Sequence, residues 1–268
     1  MADGSVLVRV EDRGPAGRVA FVTLDNPAKL NTLSRSLMGS FIAKLGQLGQ
    51  DDSLRCVVLT GAGEKAFIGG ANIAEMAALD SGSAGGFVTL IHQVCDALRR
   101  LPVPVIARIR GYALGAGLEV AASCDMRVAS TDARFGMPEV RLGIPSVVEA
   151  ALLPQLVGWG RARRLLLTGE TISAQTALEW GLIEELVKPE AIDDAVERLV
   201  QSILDSGPRA VRLQKSLIRE WEELPAGAAI RRGIAAFVHA WDTDEPRRMM
   251  RGFLERVHGR RVRPGSRK

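Results

Sequence analysis

Cysteine is almost missing from this chain. Cys56, Cys95 and Cys124 are the whole supply, an odd number in apolar or helical settings without C-x-x-C spacing. A disulfide framework is therefore excluded, and a reducing compartment is expected. Aromatics are scarce too: one Tyr, four Trp and seven Phe among 268 residues. The core must rest on Leu, Val, Ile and Ala. No stretch approaches the roughly 18 apolar residues of a membrane span. The opening Met1–Arg13 mixes acids with its basic groups and reads as neither a signal nor a transit peptide, so a soluble, cytoplasmic protein is expected. The three histidines, His92, His239 and His258, lie far apart in sequence with no ligand-spaced partner, and no metal site is expected. Cys124 has no His nearby in sequence to activate it as a nucleophile and reads as a small buried hydrophobe.

What charge there is sits unevenly. The net charge is +4, yet Arg256–Lys268 contributes six basic residues and no acid, leaving 29 basic against 31 acidic residues in the body. The basicity is a property of a tail read as solvated and poorly ordered, and binding to nucleic acid is not expected of the body.

The apolar pattern is ordinary in amount, 47% of the chain, and informative in its order. Val6–Val10 and Arg18–Leu24 read as strands around Gly14-Pro15-Ala16-Gly17. Leu37, Met38, Phe41, Ile42, Leu45 and Leu48 form a helical stripe. Arg55–Leu59, Pro104–Ile109 and Met126–Ala129 read as strands, with helices over 85–100 and 115–123 between them. Alternating strands and crossover helices predict an α/β fold with a largely parallel sheet. After Pro145 helices dominate, and Gly207-Pro208 breaks the pattern before an all-helical end. The predicted organisation is a core domain over 1–206 and a helical region with a basic tail over 207–268. The stripe Ile230, Ile234, Phe237, Val238 and Trp241 suits either subunit packing or cover for its own core.

The chemistry concentrates in two glycine-containing loops and two acids. Gly111-Tyr-Ala-Leu-Gly-Ala-Gly-Leu-Glu-Val-Ala-Ala-Ser-Cys-Asp125 carries Glu119, and Phe135-Gly-Met-Pro-Glu-Val-Arg-Leu-Gly143 carries Glu139. Neither the loop at Gly115 nor that at Gly61–Gly63 fits a dinucleotide or P-loop pattern. A turn from strand into helix leaves N–H groups unpaired and open to an anion. Two such donors converging on one oxygen make an oxyanion hole. Glu119 alone reads as a helix-start acid and Glu139 alone as an exposed strand-edge charge. Together, in flanks this apolar, they read as partly buried carboxylates with raised pKa suited to acid–base work.

These stretches resemble the enoyl-CoA hydratase/isomerase (crotonase) superfamily over nearly the whole chain. The matching segments are Asn26-Pro-Ala-Lys-Leu-Asn-Thr-Leu33, Lys65–Met76, Gly111–Asp125, Phe135–Pro145 and Thr168-Gly-Glu…Ala177-Leu-Glu-Trp-Gly-Leu182. The resemblance implies a spiral of ββα units with a C-terminal helical trimerisation region, and a homotrimer or a hexamer of two trimers. It implies an acyl-CoA thioester substrate whose enolate is held by the backbone N–H groups of Ala71 and Ala116. It assigns Glu119, mainly as base, and Glu139, as proton donor to the α-carbon, to hydration of a trans-2-enoyl-CoA. Ala28, Lys29 and Leu30, with Ala66, Gly69, Gly70, Asn72 and Ile73, match where such proteins bind CoA. No cofactor beyond the substrate's own CoA is implied. A Δ3-Δ2 enoyl-CoA isomerase or another enolate-forming activity is the alternative, and an RNA-binding member a remote one.

Three departures stand out. Ala116 replaces the usual middle glycine, and Asn72 stands where Asp is frequent. Ser146-Val-Val-Glu-Ala-Ala151 replaces a glycine-rich run, which leaves Glu149 as a third carboxylate at the pocket or as a residue in the first turn of a helix.

Overall fold

The computed structural model describes residues 4–261. They divide into two compact units, one through Ile203 and one from Leu204, a little before the break read from Gly207-Pro208.

The first unit opens with a hairpin. Strands β1 (Ser5–Asp12) and β2 (Arg18–Asp25) pair antiparallel, and the proline-containing 3-10 turn Gly14–Ala16 joins them. From β2 onward the pairing is parallel. Strands β3 (Leu54–Gly61), β5 (Val105–Ile109), β7 (Met126–Ser130) and β10 (Glu185–Val187) extend a six-stranded sheet in the order β1-β2-β3-β5-β7-β10. Residues 54–59 of β3 are all buried and, but for Arg55, apolar, the pattern of a strand covered on both faces.

A second sheet was not read from the sequence. Strands β4 (Ala66–Ile68), β6 (Tyr112–Leu114), β8 (Arg134–Gly136) and β9 (Thr171–Ser173) form it in that order, β8 and β9 antiparallel. Each successive turn of chain gives one strand to each sheet: β3 and β4, β5 and β6, β7 and β8. The helices close the turns. α1 (Arg35–Gly49) is capped by Ser34, whose Oγ accepts from the Leu37 N–H at 3.2 Å, and it buries Leu37, Met38, Phe41, Leu45 and Leu48. At about 2 kcal/mol for each apolar side chain buried, that face contributes on the order of 10 kcal/mol before entropy is counted. The short α2 (Ile73–Ala77) precedes α3 (Ala84–Arg100), which buries Phe87, Ile91, Val94, Cys95 and Leu98 and packs on α1. α4 (Ala116–Ala122) is buried along its whole length. Asp125 ends that segment as an anchor, its Oδ2 accepting from the Val105 N–H at 2.6 Å. α5 (Leu153–Val157), α6 (Trp159–Thr168), α7 (Ala174–Trp180) and α8 (Ile192–Leu204) complete the series to the boundary.

The second unit holds α9 (Pro208–Glu223), α10 (Ala226–Ala240) and α11 (Glu245–Arg261). Glu245 caps α9, its carboxylate accepting from the N–H groups of Arg209 and Ala210 at 3.1 and 2.9 Å. The stripe Ile230, Ile234, Phe237 and Val238 is largely exposed on this chain, so it does not cover a core of its own. The basic tail is shorter than expected: Arg256, Arg260 and Arg261 belong to α11. The remainder, 262–268, lies outside the described residues.

Candidate active site

Two backbone corners meet first. Gly70 adopts φ +117, and a Cβ there would stand 3.2 Å from the Leu114 carbonyl oxygen; only glycine gives both that conformation and that approach. The contact sets the loop after β4 beside the loop after β6. In the first, Leu33 and Ala71 form an isolated parallel bridge. The Leu33 N–H donates to Gly70 O and the Asn72 N–H to Leu33 O, both at 2.9 Å, which leaves the Ala71 N–H outside the bridge. In the second, Ala116 is the first residue of α4, where an N–H has no intrahelical acceptor. Ala71 and Ala116 thus come together on the wall of one cavity of about 610 Å³.

Both glutamates reach the same cavity. Glu119 points from buried α4 and is only 4% exposed. Its Oε1 accepts from the Ala150 N–H at 3.2 Å. Burial, then the charge of Glu139, and to a lesser degree that of Glu149, push its carboxyl from the ordinary 4.5 up to about 8 against the lowering effect of the Ala150 N–H. Glu139 does not sit on a strand edge as its isolated reading had it. It lies in a 3-10 turn, Pro138–Leu142, half-buried. Ser146 Oγ donates to its Oε2 at 2.7 Å. Its Oε1 lies against Gly115, where any Cβ would collide with it, and Gly115 also takes φ +52. The glycine before α4 therefore makes room for the second carboxylate as well as freeing the Ala116 donor.

Most of the rest of the wall is apolar, with Met76, Leu79, Phe87, Val88, Ile144 and Val147 among its residues, while Asp80 and Ser81 add polar groups. Gly69, Gly70 and Ile73 line it as well. Ala28, Lys29, Leu30, Ala66 and Asn72 do not. Ala66 is buried in β4. The Asn72 side chain caps α2, its Oδ1 accepting from the Ala74 and Glu75 N–H groups at 3.0 and 3.3 Å. Ala28–Leu30 form an exposed turn stitched to the cavity loop, the Gly69 N–H donating to Leu30 O at 2.8 Å. That stitching depends on Asn31, which sequence reasoning passed over. Fully buried at φ 55, it accepts from the Asn26 N–H and donates to Ala62 O and Ala66 O at 2.9, 3.0 and 2.8 Å. Its tolerance of left-handed backbone is the signal that could have found it.

Glu149 answers to one of its two readings and adds something neither contained. It stands in the first turn of a 3-10 helix, Val148–Leu152, and does not line the cavity. There it pairs with His92 of α3, a residue for which the sequence suggested no partner. Among the described residues no group of three or more His, Cys, Asp or Glu could hold a metal ion, and no helix is long and apolar enough to cross a membrane.

Two carboxylates and two backbone N–H groups lining one apolar cleft can support proton transfer next to a polarised carbonyl. The chain belongs to the enoyl-CoA hydratase/isomerase family, whose model matches residues 15–260. It is 36% identical to a short-chain-enoyl-CoA hydratase of Clostridium acetobutylicum, over 90% of this chain and 92% of that one. It is 33% identical to a crotonyl-CoA hydratase of Syntrophomonas wolfei, over 96% and 97%. In structure it is similar to an enoyl-CoA hydratase of Bacillus anthracis, with TM-score 0.87 and 33% identity over 93% of this chain and 96% of that one.

Proposed function

We infer that this protein hydrates a trans-2-enoyl-CoA to a 3-hydroxyacyl-CoA. The observation that carries the reading is the convergence of Glu119 and Glu139 on the cavity wall that also presents Ala71 and Ala116. The thioester oxygen accepts from the two backbone N–H groups, drawing charge out of the double bond. Glu119, as base, takes a proton from water as the oxygen bonds to the β-carbon. The π pair moves to the α-carbon through the enolate, and Glu139 returns a proton there. One C–O and one C–H bond form at the expense of one O–H bond and the C=C π bond, with no change of redox state and no metal or redox cofactor required.

The apolar wall suits a hydrocarbon acyl group. On this reading the CoA portion falls to the turn Ala28–Leu30 and the loop 66–73, which Asn31 ties together. The exposed stripe on α10 supports assembly into a trimer or a pair of trimers, and the buried free cysteines Cys56, Cys95 and Cys124 suit a reducing cytoplasm.

Loss of enoyl-thioester absorbance with crotonyl-CoA and hexenoyl-CoA tests the reading. Wild type should hydrate both, and Glu119→Gln and Glu139→Gln should each lose on the order of 10²–10⁴-fold in kcat. A folded, CoA-binding wild type that takes up no label from H₂¹⁸O but moves a double bond from C3 to C2 is an isomerase instead.

A further inference from the structure

Glu149 is a buried carboxylate to which hydration gives no task. Its side chain is 5% exposed, whereas that of His92 is 51% exposed. One oxygen, Oε1, meets His92 Nδ1 at 2.7 Å. The other, Oε2, is buried without a hydrogen-bond partner among the described residues. A carboxylate is expensive to bury in this way unless it is paired, and breaking such a pair is costlier than forming it. The turn that carries it is strained as well. Val148, a β-branched residue, holds φ 43, in a region that favours glycine. On the far side of Glu149, the Ala150 N–H is the group that donates to Glu119 Oε1. Strain in a turn persists only where its surroundings over-determine it, and here the His92–Glu149 contact ties the turn to α3.

We propose that His92 and Glu149 form a clasp that locks the Val147–Ala150 turn onto α3 and so fixes the Ala150 N–H against Glu119. The proposal rests on the reading of Glu119 as the proton-transferring residue, and makes Glu149 and His92 positioning residues that never touch substrate. The clasp acts in two ways. Mechanically, it keeps Val148 in its strained conformation and the donor in register. Electrostatically, it sets a third carboxylate behind the reacting pair. The titratable groups packed around it are His92 and Cys95 from α3, Glu119 from α4, Cys124 just beyond α4, and Glu139 across Glu119. Burial first, and Glu149 second, hold the Cys95 thiol well above its ordinary value, so it stays neutral. The charge of Glu149 then reinforces that of Glu139 in keeping the proton on Glu119.

Three variants separate this from a filler role. His92→Ala cuts the tether and should lower kcat about tenfold with KM changed less than about twofold, the mark of a misplaced group at the reacting centre. His92→Asn can still donate to the carboxylate and should restore most of the loss. Glu149→Gln keeps a hydrogen-bonding partner for His92 but removes the charge. It should move the rising limb of kcat/KM against pH by about half a unit to lower pH. A readout independent of turnover is the difference in Tm between a protein and its Glu119→Gln derivative, followed from about pH 5 to pH 9; placing Glu149→Gln in both should make that difference level off at lower pH and at a smaller value. A kcat loss that Asn does not restore, an unaffected kcat in His92→Ala, or a limb and Tm difference unmoved by Glu149→Gln overturns the clasp. A shifted Tm difference in a protein that hydrates no enoyl-CoA keeps the clasp and sinks the hydratase reading.

Discussion

Glu119 is the residue on which the chemistry and the stability of this protein pull in opposite directions. Because its carboxyl is held up to about 8, it is mostly protonated at neutral pH. If it is the base, kcat/KM should climb with pH and level off above about 8; a profile flat below that point and falling above it would instead make it the acid. The same shift has a thermodynamic sign. The unfolded chain releases this proton near the ordinary 4.5 and the folded protein only near 8, so between those values the folded state binds more protons. Glu119's contribution therefore turns against the fold as pH rises through that window, and the cost is complete above it. Glu119→Gln should accordingly raise Tm by roughly a few degrees at pH 8.5 while changing it little at pH 4.5, as thermal melts at the two values will show.

At the scale of elements, the two segments flanking the cavity can be tested without touching a carboxylate. Proline is tolerated at the first position of a helix because the N–H it lacks has no intrahelical partner there. Ala116→Pro should therefore leave α4 folded and remove only the donor, lowering kcat on the order of 10²–10³-fold with little change in Tm. Val148→Gly tests the strained turn. An ordinary strand or core Val→Gly is strongly destabilising, but here the relief of φ 43 should hold the change in unfolding free energy to within about 1 kcal/mol in urea titrations.

Elements also explain what the sequence could disclose. Most strands of the larger sheet are legible because β3, β5 and β7 are largely apolar runs, and α1 and α3 carry regular stripes; β10, three residues long, was not read. β4, β6, β8 and β9 are three residues each, too short for any period to develop. Only the family resemblance implied a second strand in each turn. The glutamates and glycines of the site were legible because their neighbours are so apolar and small. The clasp was not, since His92 and Glu149 lie 57 residues apart and neither has a telling neighbour. The cap that Asn72 makes on α2 was equally hidden, since capping five residues of helix leaves no mark beyond the residue itself.

For the molecule as a whole, assembly is the open quantity with the clearest handle. Ile230, Ile234, Phe237 and Val238 are each more than three-fifths exposed on this chain, and one face of a helix rarely stays that apolar in water without a partner. Light scattering after size exclusion should give the mass of a trimer or hexamer, and Ile234→Asp combined with Phe237→Asp should reduce it. An unaltered monomer mass in the parent would remove assembly from the account.

The cavity draws its wall from three stretches of the chain: 69–91, 114–119 and 138–148. On a ribosome these emerge in that order. A nascent chain that has cleared Glu119 already owns both backbone donors and one carboxylate, yet nothing to oppose it; the second acid arrives twenty residues later, and its serine and the turn behind it follow. The pocket is therefore an all-or-nothing object in synthesis. Chains halted before residue 139 lack the second carboxylate and should hydrate no enoyl-CoA.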